Sequence, residues 1–341
     1  MHVPTLLAAP DKFRGTLSSR QAAEAIAAGA RAAGWECELA PVSDGGEGFI
    51  DAFADAARDR YTTVLGPLGN PTRARWALWS PPGGGAVAVV ESAQAAGIAL
   101  AGGAERNDPV GASTRGVGQL LLAAFAEGAG EVLVGVGGSA TTDGGLGAVE
   151  ALGRLAGRLP APVTVACDVT TRFIDAASVF GPQKGATAAQ VEFLQRRLQH
   201  LAEMYRERFH LDVTGLAGGG AAGGLAGGLA AAGAKLVPGF EVVAEHLGLA
   251  ERIAGADLVV TGEGYLDAQS FQGKAVGGVC QLAARAGVPV AVVAGDAEDD
   301  LLDGPMRLSL SRQMGRERSF ADAATCLSTV VETLLGQFAT G

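Results

Sequence analysis

The chain is poor in residues that make covalent or metal cross-links. Its four cysteines (Cys37, Cys167, Cys280 and Cys326) are far apart and form no C-x-x-C pair; Cys167, Cys280 and Cys326 sit in apolar runs and Cys37 between Glu36 and Glu38. That excludes a disulfide scaffold and a redox dithiol, and predicts buried thiols in a reducing compartment, hence a cytoplasmic protein. The four histidines (His2, His200, His210 and His246) show no ligand spacing, which argues against a zinc site. Basic residues are also short, 26 against 36 acidic, for a net charge of −10. This balance argues against nucleic acid or an anionic membrane as a partner. Met1-His2-Val3-Pro4 offers neither the charged region nor the long apolar core of a signal peptide. The one long charge-free span, residues 213–234, is mostly Ala and Gly, which insert poorly into lipid, so no membrane helix is expected there.

Glycine is what the chain has in excess: 52 residues of 341, about twice the usual ~7%, clustered at strand ends rather than in low-complexity tracts. The stretch around which the rest is organised is residues 131–148, EVLVGVGGSATTDGGLGA. Its β-branched opening reads as a buried parallel strand, followed by a glycine-rich turn and a helix from about Leu146. A strand–glycine turn–helix unit exposes backbone N–H groups at a helix N-terminus, where an anion is favoured. A second copy of its D-G-G-x-G pattern begins at Asp44, as Asp44-Gly45-Gly46-Glu47-Gly48 against Asp143-Gly144-Gly145-Leu146-Gly147. Capping a helix requires an Asp but not the trailing glycines, so two such turns suggest a polar, multiply charged small-molecule site.

At this length two domains are expected. Strand–helix alternation is expected in residues 1–60 and again from about 250 to 341. Short β segments with Gly/Pro turns after Tyr61 predict an inserted second domain over 61–249. Within it, glycine pairs at 219/220, 223/224 and 227/228 recur every four residues, which would leave one helix face bare for a ligand or close packing. A valine at Gly223 is then expected to weaken binding of the ligand there and leave the fold intact.

Asp11, Asp44, Asp143, Asp168, Glu263 and Asp267 are all expected at the carboxyl ends of strands, where open α/β sheets place their chemistry. Clustered carboxylates repel one another unless a cation sits among them, and Mg²⁺ with phosphates is the simplest neutralising partner. Lys12, Arg14, Lys184 and Lys274 are the candidate phosphate or carboxylate clamps.

Taken in order, the segments APDKFRGTL, SDGGEG, GPLGNP, GVGGSATTDGG, VACDV, VFGPQKGA, GGAAGGLAGGL and ADLVVTGEGYLD…GK resemble the type I glycerate kinase family over about residues 5 to 336. Three positions depart from the family pattern: Tyr265 where Arg is more usual, Arg14 where Lys is usual, and a short loop after Asp168-Val169 without Asn-Pro. The resemblance implies a two-domain α/β fold, a Rossmann-like parallel-sheet domain carrying an inserted α/β (α+β) domain, with the active site in the cleft between them. It implies ATP- and Mg²⁺-dependent phosphorylation of D-glycerate, with 2-phosphoglycerate the expected product and 3-phosphoglycerate the alternative. The absence of a Walker A lysine motif and of a protein-kinase loop fits a separate way of binding ATP.

On this resemblance Asp168 is the first choice for activating the attacking hydroxyl, with Asp44 next, and Lys274 and Lys184 neutralise charge on the transferred group. Lys12 and Arg14 clamp the glycerate carboxylate, with Asp11, Gly45, Gly46 and Glu47 completing the substrate site. Gly137, Gly138, Ser139, Gly219, Gly220 and Gly223 meet the nucleotide, and Asp143, Glu263 and Asp267 hold Mg²⁺. D-Glycerate and ATP are the expected partners, and a homodimer is compatible with the sequence. Two other readings compete. Gly135-x-Gly137-x-x-Ala140 is a degenerate dinucleotide fingerprint, but the helix begins only after Gly145, and Asp168 lies 28 residues beyond Ala140 where about 20 is expected. A non-catalytic nucleotide- or hydroxy-acid-binding regulator would accommodate the three departures.

Overall fold

The computed structural model describes residues 3–53, 57–81, 84–153, 156–271, 274–302 and 306–338. The strands in chain order are β1 (Thr5–Ala8), β2 (Glu36–Leu39), β3 (Ala57–Leu65), β4 (Pro71–Trp79), β5 (Val87–Glu91), β6 (Glu131–Gly135), β7 (Val163–Ala166) and β8 (Lys235–Val237). They continue with β9 (Leu258–Thr261), the two-residue β10 (Tyr265–Leu266), β11 (Val290–Ala294), the two-residue β12 (Asp296–Ala297) and β13 (Arg307–Ser309). The chain divides into two compact units, Met1–Asp44 with Phe240–Gly341, and Gly45–Gly239.

The first unit is built on a five-stranded parallel sheet in the order β13-β11-β9-β1-β2. Its central strands are apolar throughout, as burial on both faces requires: Leu6, Leu7 and Ala8 of β1 and Leu258, Val259 and Val260 of β9 are fully buried. The helix Ser19–Ala32 starts at a capping box, in which Ser18 and Gln21 satisfy each other's backbone N–H groups. Its small inner face (Ala22, Ala23, Ile26, Ala30) joins one core with Leu327, Val330, Val331 and Leu334 of the last helix, Ala323–Phe338. Gly29 lets the two approach: a Cβ there would lie 3.1 Å from the Glu332 nitrogen and closer still to the Ser328 carbonyl.

The second unit carries a six-stranded mixed sheet in the order β3-β4-β5-β6-β7-β8. β4 pairs antiparallel with both β3 and β5, whereas β5 to β8 are parallel. The division falls at 44/45 and 239/240, where the sequence pattern places it near 60 and 250. Residues 45–53 join the second unit because Phe49, Ile50 and Phe53 are buried there, Phe53 against Trp79 with ring centroids 5.8 Å apart. The Ile50 amide also donates to the buried Glu91 carboxylate at 2.8 Å.

The charge-free span lies in this unit's core, and among the described residues no helix is long and apolar enough to cross a membrane. The expected regular glycine helix is interrupted. Ala222, Gly223 and Gly224 have left-handed backbone (φ 51°, 71° and 90°), so the regular helix begins only beyond them. The bare face is covered by protein: added Cβ atoms would lie 2.8 Å from Gly144 Cα at Gly224 and 2.9 Å from Gly145 Cα at Gly228.

Candidate active site

In the first unit the parallel sheet delivers Asp11, Asp44 and Glu263 to the region beyond the carboxyl ends of β1, β2 and β9. Glycines allow the turns there to stack. A Cβ on Gly264 would meet the Arg14 nitrogen at 2.7 Å, and one on Gly262 would lie 2.8 Å from the Val293 carbonyl carbon. The Asp11 N–H donates to the Gly262 carbonyl, and the Gly264 N–H to that of Lys12.

The stacked turns crowd negative charge. Burial first, then the charge of Asp44, raises the Asp11 carboxyl to about 8, against the pull of Lys12 and of its own bond from the Lys12 N–H. Glu263 is raised by burial, with Asp267 and Asp44 adding to it and Ser270 and Lys274 opposing. Its Oε1 is buried with no hydrogen-bond partner among the described residues. Asp267 Oδ1 accepts from the Ser270 N–H at 3.0 Å and ties down the short 3-10 turn Ala268–Phe271. Lys274 stands at the N-cap of the helix Ala275–Ala286 and its charge reaches Glu263. Arg14, Glu47 and Tyr265 are exposed, and Lys12 is half-buried.

In the second unit the two D-G-G-x-G turns meet, but not as equivalent halves. A Cβ on Gly137 would lie 2.7 Å from Gly46 Cα, and one on Gly45 would lie 2.6 Å from the Ala166 carbonyl oxygen. The left-handed residues differ between the copies, Gly45 and Gly48 in the first and Gly144 and Gly145 in the second. Each pattern therefore turns the chain differently.

The 137–145 turn is braced from outside at four of its carbonyls. Asn107 Nδ2 donates to Ala140 at 2.9 Å, Lys184 Nζ to Thr141 at 2.6 Å, Arg197 Nη2 to Thr142 at 2.6 Å, and the Tyr205 hydroxyl to Gly144 at 2.9 Å. Lys184 Nζ also donates to Ser139 Oγ at 2.9 Å. Burial pulls this ammonium down to about 7, with the charge of Asp143 opposing, so Lys184 is a buried brace rather than a solvated cation. Burial pushes the Tyr205 phenol well above its ordinary range, so it remains a donor.

The amide N–H groups of Gly137, Gly138, Thr141, Thr142 and Asp143 have no acceptor among the described residues, although Thr141 and Thr142 are fully buried. Gly138 is exposed with φ 60°, and only Ala93 Cβ, at 3.7 Å, approaches the position of an added Cβ. Buried amides without acceptors are rare; of these five, Thr141 and Thr142 leave no surface for a ligand, whereas Gly137 is half-buried and Gly138 exposed.

Asp143 does not fit a Mg²⁺ ligand. Its Oδ2 accepts from the Thr114 N–H and hydroxyl and from the Gly147 N–H, and its Oδ1 from the Gly145 N–H. It fastens two helix starts together. Asp168 Oδ1 accepts from the Gly239 N–H at 2.7 Å, at the start of the helix Gly239–His246.

Gly219, Gly220 and Gly223 face protein. Their added Cβ atoms would lie 3.0 Å from the Leu216 oxygen, 2.5 Å from the Arg172 oxygen and 2.8 Å from Thr142 Cα. The Gly219 and Gly220 N–H groups donate within the chain. A valine at Gly223 is therefore expected to strain and destabilise the fold, contrary to the sequence expectation.

Among the described residues no three His, Cys, Asp or Glu side chains form a group that could hold a metal ion. Sequence reasoning missed Asn107, Thr114, Arg197, Tyr205 and Ser270. Arg197 reads as a solvated helix residue and Tyr205 as part of the apolar stripe Leu194, Leu198, Leu201.

Comparison with known proteins identifies the family and the fold. A sequence profile described as "Glycerate kinase family" matches residues 6–158 and 154–336. The chain is 37% identical to glycerate 2-kinase of Escherichia coli K12, over 87% of this chain and 86% of that one. It is 38% identical to glycerate kinase of Halalkalibacterium halodurans, over 85% of each chain. The crystal structure titled putative glycerate kinase 2 from Salmonella typhimurium LT2 superposes with a TM-score of 0.84 at 32% identity, covering 100% of this chain and 99% of that one. The chain belongs to the glycerate kinase family.

Proposed function

We propose that the chain transfers the γ-phosphoryl group of ATP to D-glycerate with the help of Mg²⁺, giving 2-phosphoglycerate. Family membership supports glycerate and a kinase reaction, and the name of the Escherichia coli relative supports the 2-position. The observation that carries the nucleotide half is the pair of acceptor-less amides at half-buried Gly137 and exposed Gly138, where phosphate oxygens would find donors, with only Ala93 Cβ near the position of an added Cβ at Gly138.

Phosphoryl transfer demands alignment and charge neutralisation more than covalent help. Lys12 and Arg14 would pair with the glycerate carboxylate, and Asp44 and Glu47 would accept from its hydroxyls. Asp11, raised to about 8, suits the proton acceptor of the attacking hydroxyl, because a base works best with a pKa near the working pH. Asp168, with one oxygen committed to the Gly239 amide, suits a loop anchor. Glu263 and Asp267 fit Mg²⁺: a buried carboxylate oxygen without a partner among other carboxylates favours a cation. Two protein carboxylates are enough, because Mg²⁺ keeps waters and takes further oxygens from phosphates. When bound, it would offset the negative charge of the phosphates. Lys274 would add a positive charge beside Glu263.

A coupled assay of ADP release with ATP, Mg²⁺ and D-glycerate, with the product identified by phosphorus NMR, tests the reading. ADP formation dependent on D-glycerate and a 2-phosphoglycerate signal are expected. ATP consumption indifferent to D-glycerate overturns the reading, and a 3-phosphoglycerate product overturns its regiochemistry.

A further inference from the structure

Asp267 and Ser270 stand at the spacing of a reciprocal cap. Asp267 Oδ1 accepts from the Ser270 N–H, and Ser270 Oγ accepts from the Asp267 N–H, both at 3.0 Å. Those two bonds are all that such a cap needs to start the 3-10 turn Ala268–Phe271. Ser270 does more. Its hydroxyl also hydrogen-bonds the Glu263 carboxyl. Because Glu263 Oε1 has no partner among the described residues, that bond falls on the other oxygen.

A hydroxyl has a single proton to give. Ser270 Oγ lies 3.3 Å from Asp267 Oδ1, longer than an O–H···O bond usually is, and that oxygen already holds the Ser270 N–H. The proton is therefore at the disposal of Glu263. Buried and pinned to Asp267 through both its amide and its oxygen, Ser270 holds one oxygen of the half-buried glutamate and leaves Oε1 uncommitted. We propose that Ser270 is a positioning residue that sets the Glu263 carboxylate beside Asp267 so that Oε1 is presented to the divalent cation of the reaction. The inference rests on the reading that Glu263 and Asp267 hold Mg²⁺. That ion demands near-octahedral oxygens at fixed distances, so a flexible glutamate gains from an outer partner that fixes its orientation.

The test uses the full chain, stripped with chelator, and Mn²⁺ as the probe. Paramagnetic resonance of free Mn²⁺ gives the affinity, and kinetics give the apparent Mg²⁺ constant and the glycerate KM. The variants are Ser270→Ala, Glu263→Gln and the two combined, each checked by thermal melting. Ser270→Ala should weaken Mn²⁺ binding by roughly 10- to 100-fold, the range for loss of an outer partner, and leave the glycerate KM within about twofold. The apparent Mg²⁺ constant should rise with it. In the Glu263→Gln background Ser270→Ala should have almost no further effect, because it acts through that carboxylate. A merely structural role would add its loss to that of Glu263→Gln, and that result overturns the proposal. So does unchanged Mn²⁺ affinity in Ser270→Ala while Glu263→Gln weakens it. If the parent takes up no Mn²⁺, or Glu263→Gln binds it as the parent does, Glu263 does not hold the cation, and the underlying reading fails with the inference. Ser270→Cys, which donates only weakly, decides in place of Ser270→Ala if the alanine variant does not fold.

Discussion

Gly223 lies against Thr142 so closely that a Cβ on it would sit 2.8 Å from Thr142 Cα, and nearer still to the Thr141 carbonyl. With φ at 71°, no L side chain fits here on either count. Gly223→Val is expected to cost about 3 kcal/mol or more through backbone strain and overpacking. Gly223→Ala should be destabilising in the same direction. Urea unfolding checks this; a valine variant as stable as the parent would mean that the two turns do not meet.

Asp143 accepts four hydrogen bonds inside the second unit, so its replacement is a stability experiment. Asp143→Ala would strand the Thr114 and Gly147 amides and should cost about 3 kcal/mol. Chemical denaturation within 1 kcal/mol of the parent would refute its role as a fastener, on the same scale.

The pH dependence of stability should carry the mark of Asp11. Its folded value of about 8 stands above the ordinary 3.8, so between these values the native state holds a proton that the unfolded chain has released. The sign follows: Asp11's contribution to stability falls as pH rises from about 4 to 8. The metal-free protein should lose melting temperature over that window relative to Asp11→Asn. Parallel melting curves for the two proteins would show that Asp11 ionises normally.

Catalysis should run the other way. With Asp11 as the proton acceptor, kcat/KM for glycerate rises with pH toward about 8. Asp11→Asn should lower kcat by about 10²–10⁴ with a small change in KM. Asp168→Asn, which keeps an oxygen for the Gly239 amide, should retain kcat within a factor of a few. The reverse ranking in steady-state kinetics would return the base to Asp168.

Much of this was legible in the residues. Apolar runs ending in Asp or Glu marked the strands and the edge at which Asp11, Asp44 and Glu263 emerge. The double D-G-G-x-G pattern located two turns that touch. What stayed hidden depends on long-range packing. The left-handed run 222–224 looks helical in composition, and only the position of Thr141 and Thr142 makes it otherwise. Lys184 reads as a clamp for a ligand anion and Arg197 as a solvated helix residue, because nothing local says that their heads end on carbonyls more than 40 residues away. The boundary at Asp44 escaped notice because the burial of Phe49 and Phe53 is a property of the sheet they join.

The pairing of Gly29 with the Ser328 carbonyl sets a timetable for biosynthesis. The second unit is one continuous segment, and all its strand partners have left the ribosome soon after Gly239. The first unit draws β1 beside β9 and the helix Ser19–Ala32 beside the last helix, so its nascent N-terminal third waits with apolar surface uncovered. Domains that fold as units during synthesis usually do so from the N-terminus; this topology is expected to invert the order, so that the inserted unit matures first.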